Sequence, residues 1–233
     1  MIEDYRIAVV ERSGYGWSEA SNSPRDIETI LEETREALYL SGEKGPYVLF
    51  PHSMSGLEAI FWAQQYPNEV KAIVGLDPCT PASVDILPKT RKIMLNAMYF
   101  ISRIGLSRFM PESEVEKRLP LMRVDGLTEK DKQQYLAVFY KSTFTKDMAR
   151  EVSYLKENAE MVAKSEIPVN TPMFFFISKE QDATVIGWKE ELIGYLSKID
   201  VGKYRQLAAS HYIHYEQSDI IAAEANAFLE GIK

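Results

Sequence analysis

The sequence predicts an α/β fold, a mostly parallel sheet with helices on both faces and a block of helices inserted between two of its strands. Three observations carry this. Short apolar runs alternate with helical patterns at both ends of the chain, residues 82–166 carry helical patterns alone, and turn-forming residues mark each passage from strand to helix. Strands spaced by helices pair in parallel through right-handed crossovers. The expected division is a core of residues 1–81 and 167–233, with 82–166 as a helical cap.

Residues 5–10 read as a short buried strand that breaks at Ser13-Gly14-Tyr15-Gly16, where glycine tolerates positive φ. A helix follows, with Ser23 as its cap and Pro24 in its first turn; Ile27, Ile30, Leu31, Thr34 and Leu38 share one face until Gly42 stops it. Residues 47–50 form the second strand, 55–66 the second helix, which Pro67 ends, and 70–76 the third strand. After Pro81, Ile93, Ala97, Ile101 and Ile104 make an apolar helical stripe, and Thr128 with Asp131 starts another helix. Alternation resumes with a strand at 173–178, a helix at 188–197, a strand at 203–208 and a closing helix at 220–229.

The bulk properties narrow the function. A chain of 233 residues, 45% of them hydrophobic, can bury a full core. The net charge of -7, with no basic block, argues against nucleic acid and against anionic membrane surfaces. One cysteine, Cys79, leaves nothing to pair within the chain, which points to a reducing compartment and the cytoplasm. No run reaches the length of a membrane span, and no signal pattern opens the chain. Three histidines without ligand spacing and no H-E-x-x-H argue against a metal, and Gly14-Tyr15-Gly16 lacks the third glycine and the lysine of a phosphate loop, so no cofactor is expected.

In a parallel sheet the ligand crevice lies at the carboxyl ends of the strands. There Pro51-His52-Ser53-Met54-Ser55-Gly56 places a serine in a tight turn between strand and helix. Such an elbow lifts the hydroxyl off the sheet toward a base, and the Met54 backbone N–H can face a developing oxyanion at a helix N-terminus. His211, in the loop after the last strand, is the candidate base, because a neutral imidazole can accept the serine proton and return it to the leaving group. His214 and His52 are assigned packing or structural roles. An acid must orient the base; Asp182, in the loop after 173–178, is the first choice, with Glu180 in that loop and Asp77 at the end of the third strand as alternatives. Cys79 reads as a small packed residue.

Three segments together resemble the α/β-hydrolase superfamily: Glu11-Arg12-Ser13-Gly14-Tyr15-Gly16-Trp17-Ser18, similar to its D-R-x-G-x-G-x-S turn; His52-Ser53-Met54-Ser55-Gly56, similar to its G-H-S-M-G-G elbow with Pro51 and Ser55 in place of glycines; and His211-Tyr212-Ile213-His214. The resemblance implies a triad of Ser53, His211 and Asp182, and a lid formed by the insertion. Serine at the nucleophile position excludes the superfamily's haloalkane dehalogenases and epoxide hydrolases, which use aspartate. The expected reaction is hydrolysis of an ester or related acyl bond in a small hydrophobic acyl substrate, with Met94, Met98, Phe100 and Phe109 as pocket candidates. Peptide, lactone and carbon–carbon bonds, or a non-catalytic binding role on the same scaffold, are the alternatives; a homo-oligomer stays open. Superfamily members carry further strands and an H-G type loop ahead of the segment matching 5–10, and those N-terminal strands are missing from this sequence. The expectation is a gap in the sheet and one oxyanion donor fewer, a loss worth about 10² to 10³ in kcat.

Overall fold

Four parallel strands make one sheet in chain order: β1 (Tyr47–Leu49), β2 (Val70–Leu76), β3 (Met173–Ser178) and β4 (Gly202–Leu207). This computed structural model describes residues 5–88, 92–111, 114–115, 122, 127–142 and 144–232. The rest of the inserted block, at 89–91, 112–113, 116–121, 123–126 and 143, lies outside the described residues.

Alternation of side chains along the two central strands explains the layering. Ile73 of β2 and Met173, Phe175 and Ile177 of β3 face one apolar cluster; Ala72 and Val74, with Phe174 and Phe176, face another. The first cluster is closed by α1 (Ile27–Leu40), α2 (Ser55–Gln65) and α8 (Trp188–Leu196), the second by α9 (Ile213–Glu216) and α10 (Ser218–Glu230). Both faces of the sheet are therefore covered, and β3 reads as a continuous apolar run for that reason. Between β2 and β3 stand α3 (Ser83–Ile86), α4 (Lys92–Arg103), α5 (Glu129–Ser142) and α6 (Lys146–Lys164). α6 is not detached from the core: Ala159 and Val162 enter the first cluster. Thr128 and Asp131 cap α5 reciprocally, each side chain accepting the other's backbone N–H at 3.2 and 2.9 Å. Among the described residues no helix is long and apolar enough to cross a membrane.

Two local expectations are corrected. Residues 5–10 are not a strand. Ile7 and Val9 are 60% and 88% exposed, only Tyr5 and Val10 pack partly against the clusters, and the segment joins no ladder. The first helix begins at Ile27 rather than near Pro24, because Asp26 is the cap: its carboxylate accepts Thr29 N–H at 2.9 Å. The end of that helix does fall at Gly42, whose φ of +79° supplies the left-handed turn.

Candidate active site

The turn after β1 holds Ser53 at φ +56°, a left-handed conformation that costs a non-glycine residue about 1–2 kcal/mol. The surroundings enforce it. Ser53 C=O accepts from Gly56 N and from Cys79 N at 3.0 and 2.8 Å, and Leu76 N donates to Pro51 C=O at 2.8 Å. Ser55 closes the turn with its hydroxyl, donating to His52 C=O at 2.7 Å and accepting His52 N–H at 2.8 Å. A residue that departs from the superfamily pattern thus contributes to the elbow it interrupts. Gly56 leaves no room for a side chain without a shift of the backbone: a Cβ there would lie 2.3 Å from the Cys79 carbonyl oxygen. Met54 is the N-cap residue of α2, so its peptide stands at the helix N-terminus directly after Ser53.

At the end of β2, Asp77 also has positive φ, +51°, and is fully buried. Its Oδ1 accepts Ser178 N–H and Trp188 Nε1–H, both at 2.9 Å, and its Oδ2 meets His211 Nδ1 at 2.6 Å. A carboxylate needs such company when buried, and the three contacts supply it. Asp182 is engaged elsewhere. In the short helix α7 (Lys179–Thr184), it accepts Lys189 N–H at 3.1 Å on Oδ1 and Gln206 Nε2–H at 3.0 Å on Oδ2, stapling that helix to α8 and β4. Glu180 is exposed on α7. The carboxylate beside the histidine is the one that ends β2. The signal lay in the pattern: Asp77 ends an apolar run, Ile73-Val74-Gly75-Leu76, and a carboxylate so placed is buried and must be paired. Asp182 sits in the polar run Lys179-Glu180-Gln181-Asp182.

His211 stands beside the residue preceding Ser53. His52 Nε2 lies 2.9 Å from the His211 carbonyl oxygen, and the two imidazole rings are 4.6 Å apart. His214 packs edge-on against His52 at 4.6 Å and against Tyr215 at 4.2 Å. Burial, reinforced by the neighbouring His211, holds His52 down at about 4 and lowers His214 as well. Burial pushes the Cys79 thiol up to about 12, so this cysteine is a packed thiol and a poor nucleophile.

A second polar cluster ties α6 to α1 and α2. Glu11 accepts Trp17 N–H and Ser18 N–H at 2.9 and 3.1 Å, closing the turn around Gly16, where a Cβ would lie 1.8 Å from the Glu11 carboxylate. The next residue, Arg12, binds Glu58 of α2 and, at 3.2 Å, Glu151 of α6. Glu151 also accepts from Tyr15 OH at 2.7 Å and from fully buried Arg25 at 3.1 and 3.3 Å, while Arg25 reaches Glu33 of α1 at 2.6 Å. Burial outweighs Arg12 at Glu58 and pushes that carboxyl up to about 7. The segment around the glycine turn therefore joins α2 and α6.

A serine in a left-handed turn between a parallel strand and its helix, with a carboxylate and histidine paired at the same sheet edge, defines the architecture of the α/β hydrolases. The comparisons agree. The profile described as alpha/beta hydrolase fold matches residues 3–99. The uncharacterized protein YbdG of Bacillus subtilis is 31% identical over 99% of this chain and 72% of its own. Among solved structures, a Bacillus megaterium epoxide hydrolase superposes with a TM-score of 0.63 at 17% identity, covering 93% of this chain and 81% of its own. A structure from work on carboxylesterases of Nitrososphaera gargenis gives 0.56 at 14%, covering 95% and 78%. This chain belongs to the α/β-hydrolase superfamily.

Proposed function

We propose that the chain is a serine hydrolase that cleaves an ester or related acyl bond through an acyl-enzyme. Ser53 is the nucleophile, His211 the general base and Asp77 the acid that orients it. The carrying observation is the 2.6 Å contact between Asp77 Oδ2 and His211 Nδ1 at the edge that also presents Ser53 in its left-handed turn. With Nδ1–H donated to Asp77, the imidazole keeps Nε2 as the acceptor for the Ser53 proton, the tautomer that base catalysis requires. The Met54 N–H at the start of α2 stabilises the tetrahedral oxyanion, and His211 returns the proton to the leaving alcohol before water releases the acyl group.

Serine as the attacking group favours acyl substrates over epoxides, although an epoxide hydrolase is among the structural neighbours. Met94, Met98, Phe100 and Phe109 of the cap are exposed apolar side chains, and they support a hydrophobic acyl or aromatic group as substrate. The test is covalent labelling by a fluorophosphonate. Wild type labels, and Ser53→Ala and His211→Ala do not; a folded wild-type protein that fails to label refutes the nucleophile. Turnover of p-nitrophenyl esters of increasing chain length then reports the acyl pocket, and no turnover of any ester refutes the acyl substrate.

A further inference from the structure

We propose that His52 is a positioning residue for the general base: its Nε2–H holds the backbone carbonyl of His211 and so fixes the base loop to the nucleophile elbow. The inference rests on the reading of Ser53 and His211 given above.

The tautomer follows from the contact. A carbonyl oxygen can only accept, so the His52 nitrogen 2.9 Å from the His211 C=O carries the proton. At its other end His52 is part of the elbow itself. Its backbone N–H and C=O are both bonded to Ser55, and His52 forms a parallel bridge with Leu76, the residue before Asp77. One residue therefore connects the nucleophile turn, the strand end that delivers the acid, and the peptide of the base. The loop's upstream anchor is separate: Ser178 Oγ–H and Glu180 N–H donate to Ala209 C=O at 2.8 and 3.3 Å. Ala209 is thus tied to β3, whereas the His211 peptide is tied to the elbow.

Ring packing restricts the remaining freedom. The His52 ring lies tilted against His211 at 4.6 Å, edge-on to His214 at 4.6 Å and tilted against Tyr212 at 5.4 Å. The titratable groups around it are His211, His214 and Tyr212 from the base loop and Asp77 from β2. Burial keeps His52 neutral through the neutral pH range. A neutral neighbour suits a base that must become an imidazolium during acyl transfer, since a second cation 4.6 Å away would oppose it. A shift of about 1 Å in a catalytic group can cost about 10² in rate, which sets the expected effect of releasing this contact.

Glutamine and asparagine separate the contact from bulk. Glutamine Nε2 reaches the place of His52 Nε2, whereas asparagine Nδ2 falls at the place of Nδ1. His52→Phe and His52→Asn are expected to slow fluorophosphonate labelling of Ser53 about 10²-fold per folded molecule and to displace the pH midpoint of labelling, while His52→Gln recovers to within about fivefold of wild type. A purely structural role would lower stability and leave rate and midpoint of the folded fraction unchanged; that result overturns the proposal, as does wild-type labelling by His52→Phe. Nitrogen-15 NMR of Ser53→Ala, which needs no activity, is expected to find His52 as the Nε2–H tautomer with a slowly exchanging proton. The Nδ1–H tautomer overturns the clamp. If wild type fails to label, the Ser53 reading falls by itself, and the NMR result still decides the clamp.

Discussion

Replacing Asp77 by asparagine tests the proposed triad most sharply, because the structure dictates how the amide must sit. Oδ1 of Asp77 is held by two donors, Ser178 N–H and Trp188 Nε1–H, each at 2.9 Å. An asparagine satisfies both only by turning its oxygen toward them, which points its NH₂ at His211 Nδ1. That nitrogen must then become the acceptor, and the imidazole proton moves to Nε2, where the Ser53 proton would have to go. The base is left in the wrong tautomer with its geometry intact. Such a change at a Ser-His-Asp triad lowers kcat about 10⁴-fold, equivalent to about 5 kcal/mol of barrier. The volume is unchanged and both Oδ1 bonds are kept, so the unfolding free energy is expected to move by no more than about 1–2 kcal/mol. The assay is the second-order rate of fluorophosphonate labelling, with circular dichroism to establish folding. Asp182→Asn is the matched control, since its bonds to Lys189 N and Gln206 lie away from the base, and it is expected to keep its rate within a few-fold. Asp77→Asn retaining more than a tenth of the wild-type rate, or Asp182→Asn losing as much as Asp77→Asn was to lose, refutes the reasoning.

Further outcomes follow from the same contacts. Ser53→Gly is expected to abolish labelling while being about 1 kcal/mol more stable than Ser53→Ala in urea, because only glycine occupies φ +56° without strain. Gly56→Ala brings a methyl within 2.3 Å of the Cys79 carbonyl and should cost about 1–3 kcal/mol, together with slower labelling; an unchanged urea midpoint contradicts it. Glu151→Gln removes one of the two carboxylates that meet fully buried Arg25, leaving Glu33 in place, and should cost about 1–3 kcal/mol, read as a lower thermal midpoint. His52 supplies an acid sensitivity: its pKa is near 6.5 unfolded and about 4 folded, so the unfolded chain binds the extra proton first. Stability is then lost as pH falls from about 6.5 to about 4, by up to about 3 kcal/mol, and His52→Gln should flatten that slope in urea titrations at successive pH values.

Much of this molecule is written locally in its chain. The apolar run of β3, the stop at Gly42, the reciprocal cap of Thr128 and Asp131 and the elbow around Ser53 all depend on residues within a few positions of one another, which is why periodicity and turn chemistry reach them. His211 is legible for the same reason, as a histidine in the loop that follows the last strand. Residues 5–10 carry a strand's composition, yet pairing is a long-range event, and in the structure they join no ladder. The carboxylate that meets His211 is the clearest case of a choice made elsewhere. Asp77 and Asp182 both follow strands and both precede the histidine; the apolar run ahead of Asp77 marks it for burial, but nothing local says which group it meets. The tertiary structure separates them, because Ser178 and Trp188, about a hundred residues after Asp77, pin one of its oxygens and turn the other toward His211, while Lys189 and Gln206 consume Asp182. Local sequence determines which groups arrive at the edge of the sheet; long-range hydrogen bonds determine which of them meet.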